Sequence, residues 1–250
     1  MVVPVVFSSD HAYIMPTGVA ILSMLEKSSD VECDIFILAS SNVTDEDKDI
    51  LVDIATPYRA TLTFIQMEDS FSGAYEVRGI TEACYYRLLI PWLIPQYDKI
   101  LYCDGDIVFV DSISRLYAVD VDSYYVSGKK PYRYNKKSFS DYAPKLGIEP
   151  GEYINSGVLV INSENMRRNS LRASFELEAK KNYKFQDQDI LNIVCKGKIG
   201  TLSPEFNVTE ITPPNPSCSI SPVRNLGDIT PIIGMIGGEY IVVRHSMMPN

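Results

Sequence analysis

No segment of this 250-residue chain is apolar for long enough to cross a bilayer, which takes about 20 residues. There is no excess of positive charge either. Lysine and arginine number 23 against 32 aspartates and glutamates, a net charge of −9, whereas a nucleic-acid partner would call for a basic face. The five cysteines, Cys33, Cys84, Cys103, Cys195 and Cys218, are odd in number and lack the spacing of zinc ligands. They read as buried or incidental thiols of a reducing compartment. No basic stretch precedes the opening Val2-Val3-Pro4-Val5-Val6-Phe7, which predicts a first strand and not a secretory leader. A cytoplasmic chain follows, so the Asn-X-Thr triplets at Asn42 and Asn207 carry little weight. No repeat, low-complexity tract or clear linker divides the sequence. Its length allows one large domain, or a domain with an appended lobe.

What is present is a buried-looking strand that stops at acids. The apolar run 100–102 is followed by Cys103-Asp104-Gly105-Asp106, and a second apolar run, Ile107-Val108-Phe109, comes after it. Desolvating a bare carboxylate costs several kcal/mol or more. Two such charges about 4 Å apart would also repel by roughly 4 kcal/mol at an effective dielectric near 20. A divalent cation removes both penalties, and hard oxygen ligands suit magnesium, manganese or calcium. The competing reading is a plain turn, because Asp-Gly is a favoured turn dipeptide.

Taken in order, the chain alternates. After the first strand and Ser8-Ser9-Asp10-His11-Ala12-Tyr13, Pro16 is expected to open a helix with Val19, Leu22 and Leu25 on one face. Residues 33–39 predict a second strand, Thr44 a helix cap with Asp45, Glu46 and Asp47 behind it, and 61–67 a third strand. This alternation predicts a parallel sheet covered on both faces. No Gly-X-Gly-X-X-Gly follows the first strand, so the dinucleotide fingerprint is missing. Residues 71–81 read as an irregular, mobile loop, and 82–90 as a helix ended by Pro91. Arg87 on that helix faces either solvent or an anionic ligand.

Farther on, 124–128 predicts a strand, and the dense basic run 129–137, interleaved with tyrosines, is either a solvated loop or a surface for a sugar or phosphorylated acceptor. The apolar strand around Val158-Leu159-Val160-Ile161-Asn162 is preceded by Asn155-Ser156-Gly157, and Ser163 is expected to cap the next helix. Phe185-Gln186-Asp187-Gln188-Asp189 then opens a helix whose positive end favours anions, although either aspartate could be only a cap. Residues 209–231 read as loop and 240–243 as strand, and His245 follows.

In combination these segments are specific. Phe7-Ser8-Ser9-Asp10 with Tyr13, Tyr86-Arg87-Leu88, Leu101-Tyr102-Cys103-Asp104-Gly105-Asp106, Asn155-Ser156-Gly157 with the strand after it, Asp187-Gln188-Asp189-Ile190-Leu191-Asn192, Phe206-Asn207 and His245 occur in one order along almost the whole chain. The chain resembles glycosyltransferase family eight, the retaining transferases with nucleotide-sugar donors that include bacterial lipopolysaccharide galactosyl- and glucosyltransferases and glycogenin. The resemblance implies an α/β fold, a single GT-A-type domain with a mixed central sheet between helices. It implies manganese, with magnesium as substitute, held by Asp104, Asp106 and His245. Asp10, Tyr13 and the Ser8 backbone would meet the uridine of a UDP-hexose, with Asp104 and Gly105 along the nucleotide. Arg87, Asp104, Asn155, Ser156 and Asp187 would hold the donor sugar, with Gln188 near its anomeric carbon.

The reaction then implied is front-face attack by a saccharide or glycolipid acceptor, with Gln188 stabilising positive charge, because an amide oxygen is a poor nucleophile. Three departures accompany the resemblance. Ala12 replaces a common polar residue, and the basic run matches no acceptor residues. His245 is followed by Ser246-Met247-Met248-Pro249-Asn250 where the family has glycine and then Lys-Pro-Trp. An incomplete C-terminal tail is therefore expected, together with peripheral attachment at the inner membrane face through what is missing. Two alternatives compete: a phosphatase of the haloacid dehalogenase type, whose Asp-X-Asp closes its first strand, and a silent sugar-nucleotide-binding protein.

Overall fold

The computed structural model describes residues 1–67, 82–131, 137–208 and 243–244. The expected loop 71–81, the tyrosine-rich part of the basic run at 132–136, the loop 209–231, Cys218 and His245 lie outside the described residues.

The first five elements follow the expected alternation: β1 (Val2–Ser9), α1 (Ile14–Lys27), β2 (Glu32–Ala39), α2 (Asp45–Ala55) and β3 (Ala60–Gln66). β1, β2 and β3 pair in parallel. A 3-10 stretch, Glu82–Leu89, runs into the single turn α3 (Ile90–Leu93) and then β4 (Lys99–Cys103), parallel to β1 on its other side. After β5 (Ile107–Val108), α4 (Ser114–Tyr117), β6 (Val126–Gly128) and α5 (Lys137–Ser140), strand β7 (Val158–Asn162) enters the sheet antiparallel to both β4 and β6. The helices α6 (Ser163–Arg168), α7 (Arg172–Glu178) and α8 (Gln186–Val194) precede β8 (Ile199–Thr201). The seven-stranded order is β3-β2-β1-β4-β7-β6-β8. The sheet is therefore mixed, as the family resemblance implied, and not wholly parallel as the alternation alone predicted.

Burial on both faces explains the apolar strands. Along β1, Val3, Val5 and Phe7 enter the core under α1 and α2, while Val6 enters the opposite core with Tyr85, Tyr102 and Ile190. A strand covered on both faces reads as a continuous apolar run, not as an alternation. Cys33, Cys84, Cys103 and Cys195 are free and buried, in keeping with inert structural thiols. Burial raises the pKa of each.

Local chemistry departs from expectation at four places. α1 begins at Ile14, after a 3-10 turn at His11–Tyr13, and Pro16 sits in its first turn, where a missing N–H costs no hydrogen bond. Its buried face is Ile14, Thr17, Ile21 and Met24, and Leu22 is exposed. Pro91 ends nothing; it lies in the first turn of α3. Asn162, not Ser163, caps α6, its Oδ1 accepting from Asn165 N at 2.9 Å. Thr44 behaves as expected and forms a capping box with Asp47. Among the described residues no helix is long and apolar enough to cross a membrane.

Candidate active site

The direction of strand addition reverses between β1 and β4, with β2 and β3 to one side and β4 to the other. Open α/β sheets leave a crevice outside the carboxyl ends of the strands at such a point. Val5 is opposite Leu101 and Val6 opposite Tyr102, so Ser8 and Asp104 emerge together two residues past the last matched pair. Because β7 runs the other way, its beginning lies at the same rim. The Asp104 N–H donates to Gly157 O at 2.8 Å, joining the two segments through their main chains.

Side-chain parity decides what Asp104 meets. Tyr102 and Asp104 are two residues apart and share one face of the sheet, the face covered by the 82–89 stretch and α8. There Arg87, 8% exposed, lies between two acids. Its Nη1 is 2.9 Å from Asp104 Oδ1 and its Nε 3.1 Å from Asp187 Oδ2. Nη1 also donates to Ser156 O at 2.7 Å, and Nε to Cys84 O at 2.9 Å. The guanidinium carbon stands 4.4 Å over the Tyr102 ring, whose hydroxyl donates to Asp104 Oδ1 at 3.0 Å. Burial alone would lower the Arg87 pKa; the charges of Asp104 and Asp187 outweigh it and the net shift is upward. Burial pushes the Asp187 carboxyl up, Arg87 offsets part of this, and Asp104 adds to the rise. The arginine is thus neither on the solvent face nor incidental.

The neighbouring polar groups form a second cluster. Ser156 Oγ donates to Asp187 Oδ2 at 3.1 Å. Asn155 Nδ2 donates to Gln188 Oε1 at 2.8 Å, and Ser156 N to the same oxygen at 3.3 Å. Gln188 Nε2 donates to the Tyr153 hydroxyl at 2.9 Å. Neither aspartate at the start of α8 is its N-cap, a position Phe185 holds; Asp189 reaches back to it, its Oδ2 accepting from Phe185 N at 2.8 Å, while Asp187 turns to Arg87. Gln186 ahead of them is buried with φ 45, a left-handed conformation uncommon for non-glycine residues.

The remaining expected residues lie across the crevice. Asp10 caps the turn His11–Tyr13, with Tyr13 N donating to its Oδ1 at 3.1 Å, and Tyr13 is 44% exposed. Gly105 closes the gap between the halves. A Cβ there would lie 2.4 Å from Thr17 Oγ1, and that hydroxyl donates to Ser9 Oγ at 3.2 Å. Only glycine allows the turn between the two acids to pack on α1. Asp106 is half-buried, and Ile107, the residue after it, pairs with Arg244, the residue before His245. The structure therefore brings Arg87, Asp104, Asn155, Ser156, Asp187 and Gln188 together, places Ser8, Asp10, Tyr13, Gly105 and Asp106 around them, and leaves His245 outside the described residues.

Tyr102 and Tyr153 take part here although the sequence assigns them no role, and Asp189, expected to be at most a cap, accepts from the Tyr142 and Tyr153 hydroxyls. For Tyr102 a signal existed, because period-2 alternation puts it on the side of Asp104.

Among the described residues, Asp104 and Asp187 flank a single guanidinium, and Asp106 follows Asp104 on the same turn, so the rim carries hard oxygen donors of the kind a divalent cation takes. Those described residues alone do not supply three metal-ligating side chains grouped on one point.

Residues 4–218 match the family model described as Glycosyl transferase family 8. A Haemophilus influenzae protein named as a glycosyltransferase is 30% identical over 210 residues, 82% of this chain and 63% of its own. Lipopolysaccharide 1,2-glucosyltransferase of Escherichia coli K12 is 26% identical over 210 residues, 81% of this chain and 61% of its own. The chain thus spans somewhat under two thirds of the length of these two relatives. Among solved structures, galactosyltransferase LgtC in complex with donor and acceptor sugar analogs superposes with a TM-score of 0.76 at 23% identity, covering 97% of this chain and 86% of that one.

Proposed function

Because this chain belongs to glycosyl transferase family 8, we propose that it moves a hexose from a UDP-sugar to a saccharide or lipopolysaccharide-type acceptor with retention at the anomeric carbon. The 250 residues would act as one catalytic domain. The observation that carries the reading is the buried Arg87, which ties the acid beside the metal turn, Asp104, to the acid at the donor-sugar end, Asp187. Asp104, Asp106 and His245 would hold manganese or magnesium. When bound, such an ion supplies a Lewis acid for the departing diphosphate. Support for the third ligand comes from β9 (Val243–Arg244), which pairs with β5 directly after Asp106.

Each side chain then has a task set by its surroundings. Asp10, Tyr13 and the Ser8 backbone border the crevice where a uridine would lie. Arg87, fixed in a dry pocket, offers stationary positive charge where negative charge grows, so little reorganisation is needed. Asn155, Ser156 and Asp187 orient the sugar. Gln188 holds its amide dipole beside the anomeric carbon, and the acceptor attacks from the face the diphosphate leaves. The likeness to a lipopolysaccharide glucosyltransferase favours an acceptor of that kind. The phosphatase alternative loses its footing, since the Asp-Gly-Asp turn closes the fourth strand and not the first.

The test is hydrolysis of UDP-glucose, UDP-galactose and UDP-N-acetylglucosamine with and without manganese. Stimulated release of UDP from at least one donor is expected. Release from none, with p-nitrophenyl phosphate consumed instead, would discard the proposal.

A further inference from the structure

Gln188 is held at both ends of its amide, and the polarity of each tether can be traced to a group that allows only one sense. At the nitrogen end, Nε2 donates to the Tyr153 hydroxyl at 2.9 Å. A hydroxyl has a single proton, and Tyr153 gives its own to Asp189 Oδ1 at 2.6 Å. Asp189, 0% exposed, is also the acceptor for Tyr142 OH and, at 2.8 Å, for the Phe185 N–H, which can only donate. At the oxygen end, Asn155 Oδ1 accepts from the Gly157 N–H at 2.9 Å and from Asn207 Nδ2 at 2.7 Å, so Asn155 must turn its own Nδ2 towards Gln188. Reversing the Gln188 amide would set oxygen against a hydroxyl with no proton to give, and nitrogen against two donors. The mismatch would fall in a partly dry site, where unmatched polar groups are costly.

We infer that Asp189 and Tyr153 are positioning residues that lock the Gln188 side chain in one orientation, its oxygen end turned to Asn155 and Ser156. This rests on the proposed transfer reaction and deepens it. Gln188 Oε1 already accepts from Asn155 Nδ2 and from Ser156 N, so both lone pairs are engaged and the oxygen serves as a fixed dipole, not as an attacking atom. Asp189 is likewise withheld from chemistry, with both oxygens engaged and no exposure. Burial and the adjacent Asp189 charge raise the Tyr153 pKa well above that of an ordinary phenol, which keeps its proton in place. Tyr142 bonds the same carboxylate without reaching Gln188, which makes it the internal control.

The experiment is a double-mutant cycle on the full chain, using whichever of the three UDP-sugars the parent turns over. Tyr153→Phe should lower kcat by about tenfold with KM for the donor within about twofold, one hydrogen bond of orientation being lost. In a Gln188→Ala background the same change should have no further effect on kcat, and Tyr142→Phe should leave kcat unchanged in either background. Equal losses from Tyr153→Phe with and without Gln188 would overturn the inference. A second readout needs neither turnover nor a variant. In the parent, the Gln188 side-chain amide protons should exchange with solvent at least about tenfold more slowly by NMR than those of an exposed glutamine. Exchange as fast as that of an exposed glutamine would overturn it too. If the parent hydrolyses no donor, the transfer reading fails while the exchange rates still decide whether the amide is held.

Discussion

The two walls of the crevice solve one problem in opposite ways. On the β1 side, His11 and Tyr13 lie exposed on a short turn, held by the buried Asp10 cap and by the His11 Nδ1 to Asp47 Oδ2 contact at 2.7 Å. On the β4–β7 side, Arg87, Asp104 and Asp187 are each less than a tenth exposed and are satisfied by one another. Water can replace a partner lost by the exposed His11 or Tyr13 of the first wall. It cannot do so in the second, where every polar atom needs a particular neighbour and the arrangement is set before a ligand arrives. The comparison separates a wall that receives from a wall that is preorganised.

The harshest way to break that distinction is Arg87→Ala. Removing the cation leaves Asp104 and Asp187 buried without it, a situation that typically costs about 3–5 kcal/mol. Urea unfolding should show a loss of that size, and turnover should fall more than UDP binding does. Arg87→Lys should not restore either, since an ammonium cannot span both acids with fixed planar donors. A next, smaller effect comes from Gly105→Ala. The new methyl would meet Thr17 Oγ1, and overpacking of this kind costs about 1–3 kcal/mol. Pairing it with Thr17→Ala should return part of the loss, read as the unfolding midpoint. Asp106→Asn should weaken manganese-dependent UDP binding by tenfold or more, roughly 1.4 kcal/mol, while circular dichroism stays unchanged. Titration calorimetry giving parental binding would end the metal assignment at that residue.

The exposed wall predicts the smallest effect and one with a pH signature. The hydrogen bond to Asp47, followed by its charge, raises the His11 pKa from 6.5, so that contribution is complete below 6.5 and disappears as pH climbs through the raised value. His11, and then the Thr44 N–H, lower the Asp47 pKa from 3.8, so its share is complete above 3.8 and disappears as pH falls through the lowered value. The melting-temperature gap between the parent and His11→Ala should be widest between about pH 3.8 and 6.5 and close on the alkaline side. A gap independent of pH would show that the turn does not depend on this pair.

How far the sequence spoke for the structure differs between the same two walls. The strands through β4 and the Thr44 cap were legible because strand–helix alternation and capping are local signals. The reversal of β7 was not. Val158-Leu159-Val160-Ile161 is apolar on both faces, and a doubly covered strand looks the same whichever way it runs. Arg87 was ambiguous for a related reason. Its burial depends on Asp104, 17 residues on, and Asp187, 100 residues on, and nothing near Arg87 announces them. Asp187 and Asp189 look equivalent at a helix start, and only packing shows Asp189 as the acceptor of two tyrosine hydroxyls and Asp187 as the partner of a buried cation. The motif blocks of the family carried what local patterns could not, since they record residues kept together by distant contacts.

The bond from the amide of residue 104 to the carbonyl of residue 157 has a practical corollary. It stitches the acid turn to the Asn155-Ser156-Gly157 segment without using any side chain, so alanine scanning is blind to it. Every substitution in the crevice will be read on a frame whose halves stay in register. Replacing that single peptide N–H by an ester oxygen through semisynthesis would loosen the seam while leaving every functional group in place.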